Sequence, residues 1–180
     1  MPPFRIFVSS PVDGIAEYRA EIIRAARCAV SGGTFEFFFY EQQDIECLPG
    51  QTVSEAVFAA SGNNFDALFV FFKDYIGDGT LDEFDFFKNT VIKLNPRCEI
   101  WWSQIFCQNE PQNVRDFKAQ LLGISADSTG SLGLPIVAGG EINDEPWKLA
   151  GRFTSKLFGL AARLRSSGHL QKPLAKGVLI

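Results

Sequence analysis

The sequence predicts an α/β fold with a doubly wound, mostly parallel sheet of five strands. Short β-rich segments alternate along the chain with segments of helical periodicity, which is typical of parallel strands joined by crossover helices. Hydrophobic residues make up 46% of the 180 residues and charged residues 21%, enough apolar material for one folded domain. Phenylalanine occurs 18 times, which indicates strands that are strongly buried.

The predicted strands are short runs of apolar residues that end at turn residues. The first, FRIFVSS, stops at Pro11, and the second, TFEFFFY, is almost continuously apolar, as expected when helices cover both faces of the sheet. The third contains ALFVFF, and the fourth is EIWWSQIF, whose tryptophans we assign to the core. The five strands are predicted over residues 4–10, 34–40, 66–76, 99–106 and 134–138.

The predicted helices carry apolar residues every three or four positions, so that one face of each helix packs on the sheet. Two of them begin with a capping-box pattern, Thr52-x-x-Glu55 and Thr80-x-x-Glu83, and Gly123 is predicted to end the fourth. The five helices are predicted over residues 14–30, 52–60, 80–94, 114–121 and 146–165.

We expect one domain over residues 1–165 and a tail or linker over residues 166–180. The first residues lack the apolar stretch of a signal peptide, and no apolar run reaches the length of about 18 residues that a membrane helix needs. We therefore expect a cytoplasmic protein without a membrane partner. The net charge of −4 and the pI near 5.1 provide no basic face, which argues against nucleic-acid binding.

The residues that usually hold metals are scattered. Four cysteines occur without a C-x-x-C pattern, and the one histidine, His169, lies near the C-terminal end. We therefore predict no metal site, and reduced cysteines rather than disulfides. The position of His169 also argues against a Ser/His/Asp triad. No glycine-rich phosphate loop follows the first strand, which argues against Rossmann dehydrogenases and P-loop NTPases.

The commonest order for five strands in such a sheet is 2-1-3-4-5, the flavodoxin-like order, and we predict this topology. Its switch point lies between the first and third strands, and ligands of open α/β sheets bind there, at the carboxyl ends of the strands. Ser9, Ser10 and Asp13 follow the first strand, and the acidic segment 74–83 follows the third. We predict a ligand site between these two segments.

Glu83 is the candidate catalytic residue of that segment, because a carboxylate near the start of a helix can face the cleft. There it would hold a ribose hydroxyl or stabilise an oxocarbenium-like transition state; the alternative is a glutamate that only completes the capping box of Thr80. Burial beside Asp78, Asp82 and Asp85 would raise the pKa of Glu83, whereas exposure at a helix N-terminus would lower it. We expect the upward shift.

Two stretches of the chain resemble a family of TIR-like domains. Residues 5–11 (RIFVSSP), followed by Asp13 and Glu17-Tyr18-Arg19, resemble the opening of this family, whose members begin "FVSS…D…ER". Residues 65–70 (FDALFV) and 75–84 (YIGDGTLDEF) are similar to its later pattern, "sDifv…YG…T..E". Such domains often stand at the N-terminus of bacterial and animal signalling NTPases.

The resemblance covers roughly residues 4–107 and extends to nucleoside 2-deoxyribosyltransferases, whose catalytic glutamate opens the helix after the third strand in a "GT..E" context. It implies a glutamate that acts on an N-glycosidic bond to ribose, usually in NAD. NAD is then expected as a substrate, and no cofactor is expected to be permanently bound. Glu83 would be the catalytic carboxylate, although Gly79 stands where the NAD-cleaving TIR domains have a tryptophan. The residues expected to bind the nucleotide are Ser9, Ser10, Asp13, Tyr75, Gly77 and Thr80.

Three functions are compatible with the sequence. The first is a TIR-like signalling or defence effector that binds an NAD-type nucleotide and hydrolyses its N-glycosidic bond. The second is a catalytically silent interaction module that signals by self-assembly, and the third is an enzyme that exchanges bases between deoxynucleosides. For the TIR-like functions the resemblance implies a homo-oligomer, with an NTPase or repeat domain downstream as a partner.

Overall fold

Five strands form one sheet in which every neighbouring pair is parallel. The computed structural model describes residues 2–30, 33–39, 50, 53–60, 62–127 and 136–166. The strands are β1 (Phe4–Ser9), β2 (Phe35–Phe39), β3 (Ala67–Phe72), β4 (Glu99–Ile105) and β5 (Ile136–Ile142). Their order is β2-β1-β3-β4-β5, which confirms the predicted fold class and the flavodoxin-like topology.

Helices join the strands and cover both faces of the sheet. The third predicted helix is one helical stretch in which a π-helical turn (Phe87–Val91) joins α3 to α4. The helices are α1 (Ala16–Val30), α2 (Val53–Ala60), α3 (Asp78–Phe86), α4 (Ile92–Leu94), α5 (Gln112–Asp127) and α6 (Pro146–Ser166). None of the described helices is both long and apolar enough to cross a membrane. The predicted tail beyond Ser166 lies outside the described residues.

The core consists of two apolar clusters, one on each face of the sheet. α1 and α6 cover one face, where Phe69 of β3 stacks on Phe153 of α6 with ring centroids 4.9 Å apart. α3 and α5 cover the other face, where Phe84 and Phe117 meet edge-on at 5.0 Å. Every residue of β3 and β4 is buried, because helices cover both faces of these central strands. Three of the 18 phenylalanines lie in β3.

An ion pair between a buried glutamate and a half-exposed arginine joins the end of α6 to the start of β4. The carboxylate of Glu99, a residue only 3% exposed, accepts hydrogen bonds from Arg163 Nε at 2.8 Å and from Arg163 Nη2 at 2.6 Å. It also accepts one from Trp101 Nε1 at 2.8 Å. Trp101 and Trp102 are buried on opposite faces of the sheet, which confirms their assignment to the core.

The second predicted capping box is wrong, because α3 begins two residues before the predicted start. Gly77 is the N-cap residue, its backbone is extended, and no side chain caps the helix. Thr80 therefore lies in the first turn of α3 and is buried, and Glu83 lies in the second turn. Both side chains pack inward instead of bonding to the first amide groups of the helix. Thr52, which begins the other predicted box, lies outside the described residues.

Two element boundaries in the second half of the chain also differ from the prediction. α5 passes through Gly123 and continues to Asp127, because a single glycine inside a helix costs only about 1 kcal/mol. β5, predicted to end at residue 138, continues through Gly139 and Gly140 to Ile142. The first two residues of the predicted strand, 134 and 135, lie outside the described residues.

Candidate functional site

A cavity of about 370 Å³ opens at the carboxyl ends of β1 and β3, which is the switch point of the sheet. One wall comes from residues 10–13, which follow β1, together with Arg19 of α1. The other wall comes from the segment between β3 and the second turn of α3. Six of the seven residues predicted for the site line this cavity: Ser10, Asp13, Tyr75, Gly77, Thr80 and Glu83.

Glu83 lines the cavity with a carboxyl group that is almost completely buried. The residue is 6% exposed, and its Oε2 accepts a hydrogen bond from the Ser9 hydroxyl. Burial raises the pKa of Glu83 to about 7, because the carboxylate loses its hydration. The Ser9 hydrogen bond and the positive charge of Arg19 lower this pKa, and the negative charge of Asp82 raises it. The predicted upward shift is confirmed, with burial as its main cause.

The two serines at the end of β1 have different surroundings. Ser9 is 1% exposed, and its hydroxyl donates to Glu83 at a position outside the cavity lining. Ser10 lines the cavity, and its hydroxyl accepts a hydrogen bond from Arg19. Successive side chains of an extended chain point in opposite directions, which explains the difference. The sequence predicted that both serines contact the nucleotide. In the structure, Ser10 lines the cavity and Ser9 does not.

Arg19 is a site residue that the sequence prediction did not include. It lies in the first turn of α1, lines the cavity, and donates from Nη1 to the Ser10 hydroxyl and the Pro11 carbonyl, both at 3.0 Å. Tyr18, the preceding residue, is buried in the core, and its hydroxyl donates to Asp144. Neighbouring helix positions are about 100° apart, so Arg19 faces the cavity when Tyr18 faces the core. The signal for Arg19 in the sequence was its match to the glutamate–arginine pattern of the TIR-like family that the chain resembles.

Two side chains with exposed apolar surface lie on opposite walls of the cavity. Tyr75 is 50% exposed, and Val12 is 60% exposed. The Tyr75 ring packs against Gly77, where a Cβ atom would lie 3.3 Å from the ring edge. A glycine at this position therefore leaves room for the ring close to the backbone at the start of α3.

Acidic side chains outnumber basic ones among the described lining residues. Asp13, Asp78, Asp82 and Glu83 carry the four carboxyl groups, and Arg19 is the one cationic side chain. Such a lining attracts a positively charged group, and a carboxyl group with a pKa near 7 can exchange a proton or stabilise developing positive charge. Within the described ranges, no three histidine, cysteine, aspartate or glutamate side chains are grouped so that they could hold a metal ion.

The sheet order defines a flavodoxin-like α/β protein. No family model and no curated protein matches the chain. A similar solved structure is rubredoxin oxygen:oxidoreductase from the anaerobe Desulfovibrio gigas, with a TM-score of 0.48 and 15% sequence identity. The match covers 91% of this chain and 37% of the other, so this chain spans just over a third of that protein's length.

Proposed function

We propose that this chain is a TIR-like module of the cytoplasm that binds an NAD-type nucleotide at the switch point and hydrolyses its N-glycosidic bond. Glu83 is the catalytic carboxylate in this proposal. The observation that carries it is a buried carboxyl group with a pKa of about 7, in the wall of a cavity at the edge where α/β sheets bind ligands.

The proposed reaction transfers the ribose of the nucleotide from nicotinamide to water. The bond between the ribose carbon and the pyridinium nitrogen breaks, its electron pair goes to the ring, and nicotinamide leaves as a neutral molecule. Water forms the new carbon–oxygen bond and releases one proton. Between these events the ribose carries oxocarbenium-like positive charge, which the Glu83 carboxylate stabilises. The ionised form of Glu83 is therefore the active form, and it is half populated at about pH 7.

The lining of the cavity supports a ligand with a cationic ring. The nicotinamide ring is positively charged until its bond to ribose breaks, and the carboxylates of Asp13, Asp78 and Asp82 favour its entry. The volume of about 370 Å³ lies within the range of roughly 300–1,000 Å³ that is usual for small-molecule sites. The half-exposed ring of Tyr75 offers a flat surface on which an aromatic part of the ligand can stack.

The proposed biological role is that of a signalling or defence effector. This role depends on the resemblance of residues 4–107 to TIR-like domains, and it includes assembly of the chain into a homo-oligomer. An NTPase or repeat domain downstream is the proposed partner that controls the assembly.

Incubation with NAD tests the proposal. The purified chain, at high concentration and with a crowding agent, is expected to release nicotinamide, measured by liquid chromatography. Glu83→Gln is expected to lower the rate at least about 100-fold, because a neutral amide does not stabilise the oxocarbenium charge. Asp85→Asn is the matched control: Asp85 is exposed, lies on the same helix and is outside the cavity lining, so its loss is expected to leave the rate unchanged.

The same assay, run in parallel with a mixture of deoxynucleosides and free bases in place of NAD, separates the three functions. Equal traces of nicotinamide from the wild type and from Glu83→Gln would contradict hydrolysis and favour a catalytically silent module. Exchange of bases between deoxynucleosides, without release of nicotinamide from NAD, would identify the deoxyribosyltransferase activity instead.

A further inference from the structure

We infer that Arg19 is a positioning residue of the site: it holds the segment that follows β1 in place and thereby keeps the Ser9 hydroxyl directed at Glu83. The kinetic part of this inference rests on the proposed function. Its electrostatic and structural parts concern the chain alone and are measured without a substrate.

The contacts of one guanidinium nitrogen carry the inference. Arg19 Nη1 donates to the Ser10 hydroxyl and to the Pro11 carbonyl at 3.0 Å, and to the Ser10 carbonyl at 3.3 Å. One side chain from the first turn of α1 thus binds three acceptors on two consecutive residues at the end of β1. Proline has no amide hydrogen, so Pro11 cannot donate a backbone hydrogen bond of its own, and the arginine supplies a donor at this bend.

The position of Ser10 transmits the effect of Arg19 to Glu83. Ser10 follows directly after Ser9, whose hydroxyl donates to Glu83 Oε2. Fixing both the side chain and the carbonyl of Ser10 limits rotation of the adjoining backbone, so the Ser9 hydroxyl stays directed at the carboxyl group. The guanidinium is planar and presents its donors in a fixed geometry, whereas a lysine ammonium is a single point of charge on a flexible stem.

The charge of Arg19 acts on the same carboxyl group. Its positive charge favours the ionised form of Glu83, and the hydrogen bond from Ser9 acts in the same direction. Burial and the negative charge of Asp82 act against ionisation, and Asp13 and Asp78 are the other carboxyl groups that line the cavity. Arg19 is the one cation in the described lining, so its removal leaves the Ser9 hydrogen bond as the remaining described interaction that lowers the pKa of Glu83.

Three variants of the full chain test the inference, each titrated by carbon NMR of the Glu83 carboxyl group. Arg19→Met is expected to raise the pKa of Glu83 above about 7 by roughly 0.5–1 pH unit, because a nearby positive charge is lost. Arg19→Lys is expected to raise this pKa by less than Arg19→Met does, because the charge remains and only the alignment of the Ser9 hydroxyl is relaxed. Arg27→Met removes the same charge from the same helix at an exposed position outside the cavity, and it is expected to titrate as the wild type.

NAD hydrolysis supplies the second readout. In Arg19→Met the rising limb of the pH profile of kcat/KM is expected to move to higher pH by the same amount as the NMR titration. In Arg19→Lys the midpoint is expected to move less than in Arg19→Met, while KM rises severalfold because the Ser10 and Pro11 contacts are lost. Arg27→Met is expected to match the wild type in both respects.

Unchanged Glu83 titration in a folded Arg19→Met variant would overturn the electrostatic part of the inference. An Arg19→Lys variant whose Glu83 titration and KM both match the wild type would overturn the positioning part, and the titration decides this even in a chain that does not cleave NAD. This conservative change also serves if Arg19→Met does not fold. A shifted titration in a chain that does not cleave NAD would contradict the proposed function and leave the inference standing. If the chain cleaves NAD and Glu83 in the Arg19→Met variant titrates as in the wild type, the inference is contradicted and the proposed function stands.

Discussion

The environment of Glu83 makes its negative charge costly to the folded protein. The carboxyl group is nearly buried, and the Ser9 hydroxyl replaces only part of its lost hydration. The pKa of about 7 in the folded state lies above the ordinary value of 4.5, so the folded protein keeps a proton that the unfolded chain has already released. Folding stability must therefore fall as the pH rises from about 4.5 to 7, and this contribution is constant at higher pH.

Replacement of Glu83 by glutamine is expected to stabilise the protein at alkaline pH. The amide has no charge to bury, and its oxygen can still accept the hydrogen bond from Ser9. Urea unfolding is expected to show that the stability of Glu83→Gln relative to the wild type increases by about 3 kcal/mol between pH 4.5 and pH 8. Asp85→Asn should show no such increase. A difference between Glu83→Gln and the wild type that does not change with pH would contradict the buried charge.

The position of the site could be predicted from the sequence, but the orientation of its side chains could not. Parallel strands end at one edge of a sheet, so the order of the strands was enough to bring Ser10 and Glu83 to the same cavity. The separate surroundings of Ser9 and the contacts of Arg19 depend on how β1 and α1 pack in three dimensions. A pattern of residue types contains no measure of that packing.

Among the secondary-structure elements, β5 shows how one tertiary contact decides where a strand can run. Gly139 is paired with Trp102 in the parallel register. A Cβ atom at Gly139 would lie 2.4 Å from the Trp102 ring and from its backbone oxygen, so the strand passes the tryptophan only with a glycine there. From the sequence alone, consecutive glycines indicate a turn, and the prediction ended the strand before them. The existence of β5 followed from its apolar residues; its extent depends on Trp102.

Substitution of two glycines by alanine is expected to have opposite effects on stability. Gly139→Ala should destabilise the protein by about 1–3 kcal/mol, because the added methyl group overlaps Trp102. Gly151→Ala in α6 should stabilise it by about 0.5–1 kcal/mol, because its methyl group meets open space and alanine favours the helix. Thermal and urea unfolding measure both effects. A stable Gly139→Ala variant would show that β5 does not lie against Trp102 as described.

At the scale of the whole molecule, the topology was predictable because few arrangements satisfy right-handed crossovers and short connections. The exposed apolar side chains on the outer surface could not be predicted from the sequence. Trp147 fits the apolar periodicity of α6 but is 64% exposed, and Phe158 on the same helix is 67% exposed. The two residues are 11 positions apart, which is about three helical turns, so both lie on one side of α6. Large apolar side chains that share an exposed side are typical of contact surfaces between proteins.

The chain is expected to form at least a weak homodimer that involves this side of α6. Light scattering over a wide concentration range should show a mass that rises with concentration, and Phe158→Asp should shift the molecule toward the monomer by placing a charge in the contact. Leu122→Asp is the matched control, because Leu122 is 54% exposed on α5. A mass that stays monomeric at every concentration would contradict the prediction, and a Phe158→Asp variant that dimerises like the wild type would exclude this side of α6 as the contact.

The location of the cavity along the chain has a consequence for synthesis on the ribosome. Every described residue that lines the cavity lies between Val8 and Glu83, so translation completes this lining before it reaches β4. Yet β3, which leads into one wall, is hydrogen-bonded to β4 on its other side. A nascent chain stalled at residue 98 has every described residue of the lining and lacks β4, the strand that pairs with β3. The groups that carry out the proposed chemistry are therefore made before the central sheet around them is complete.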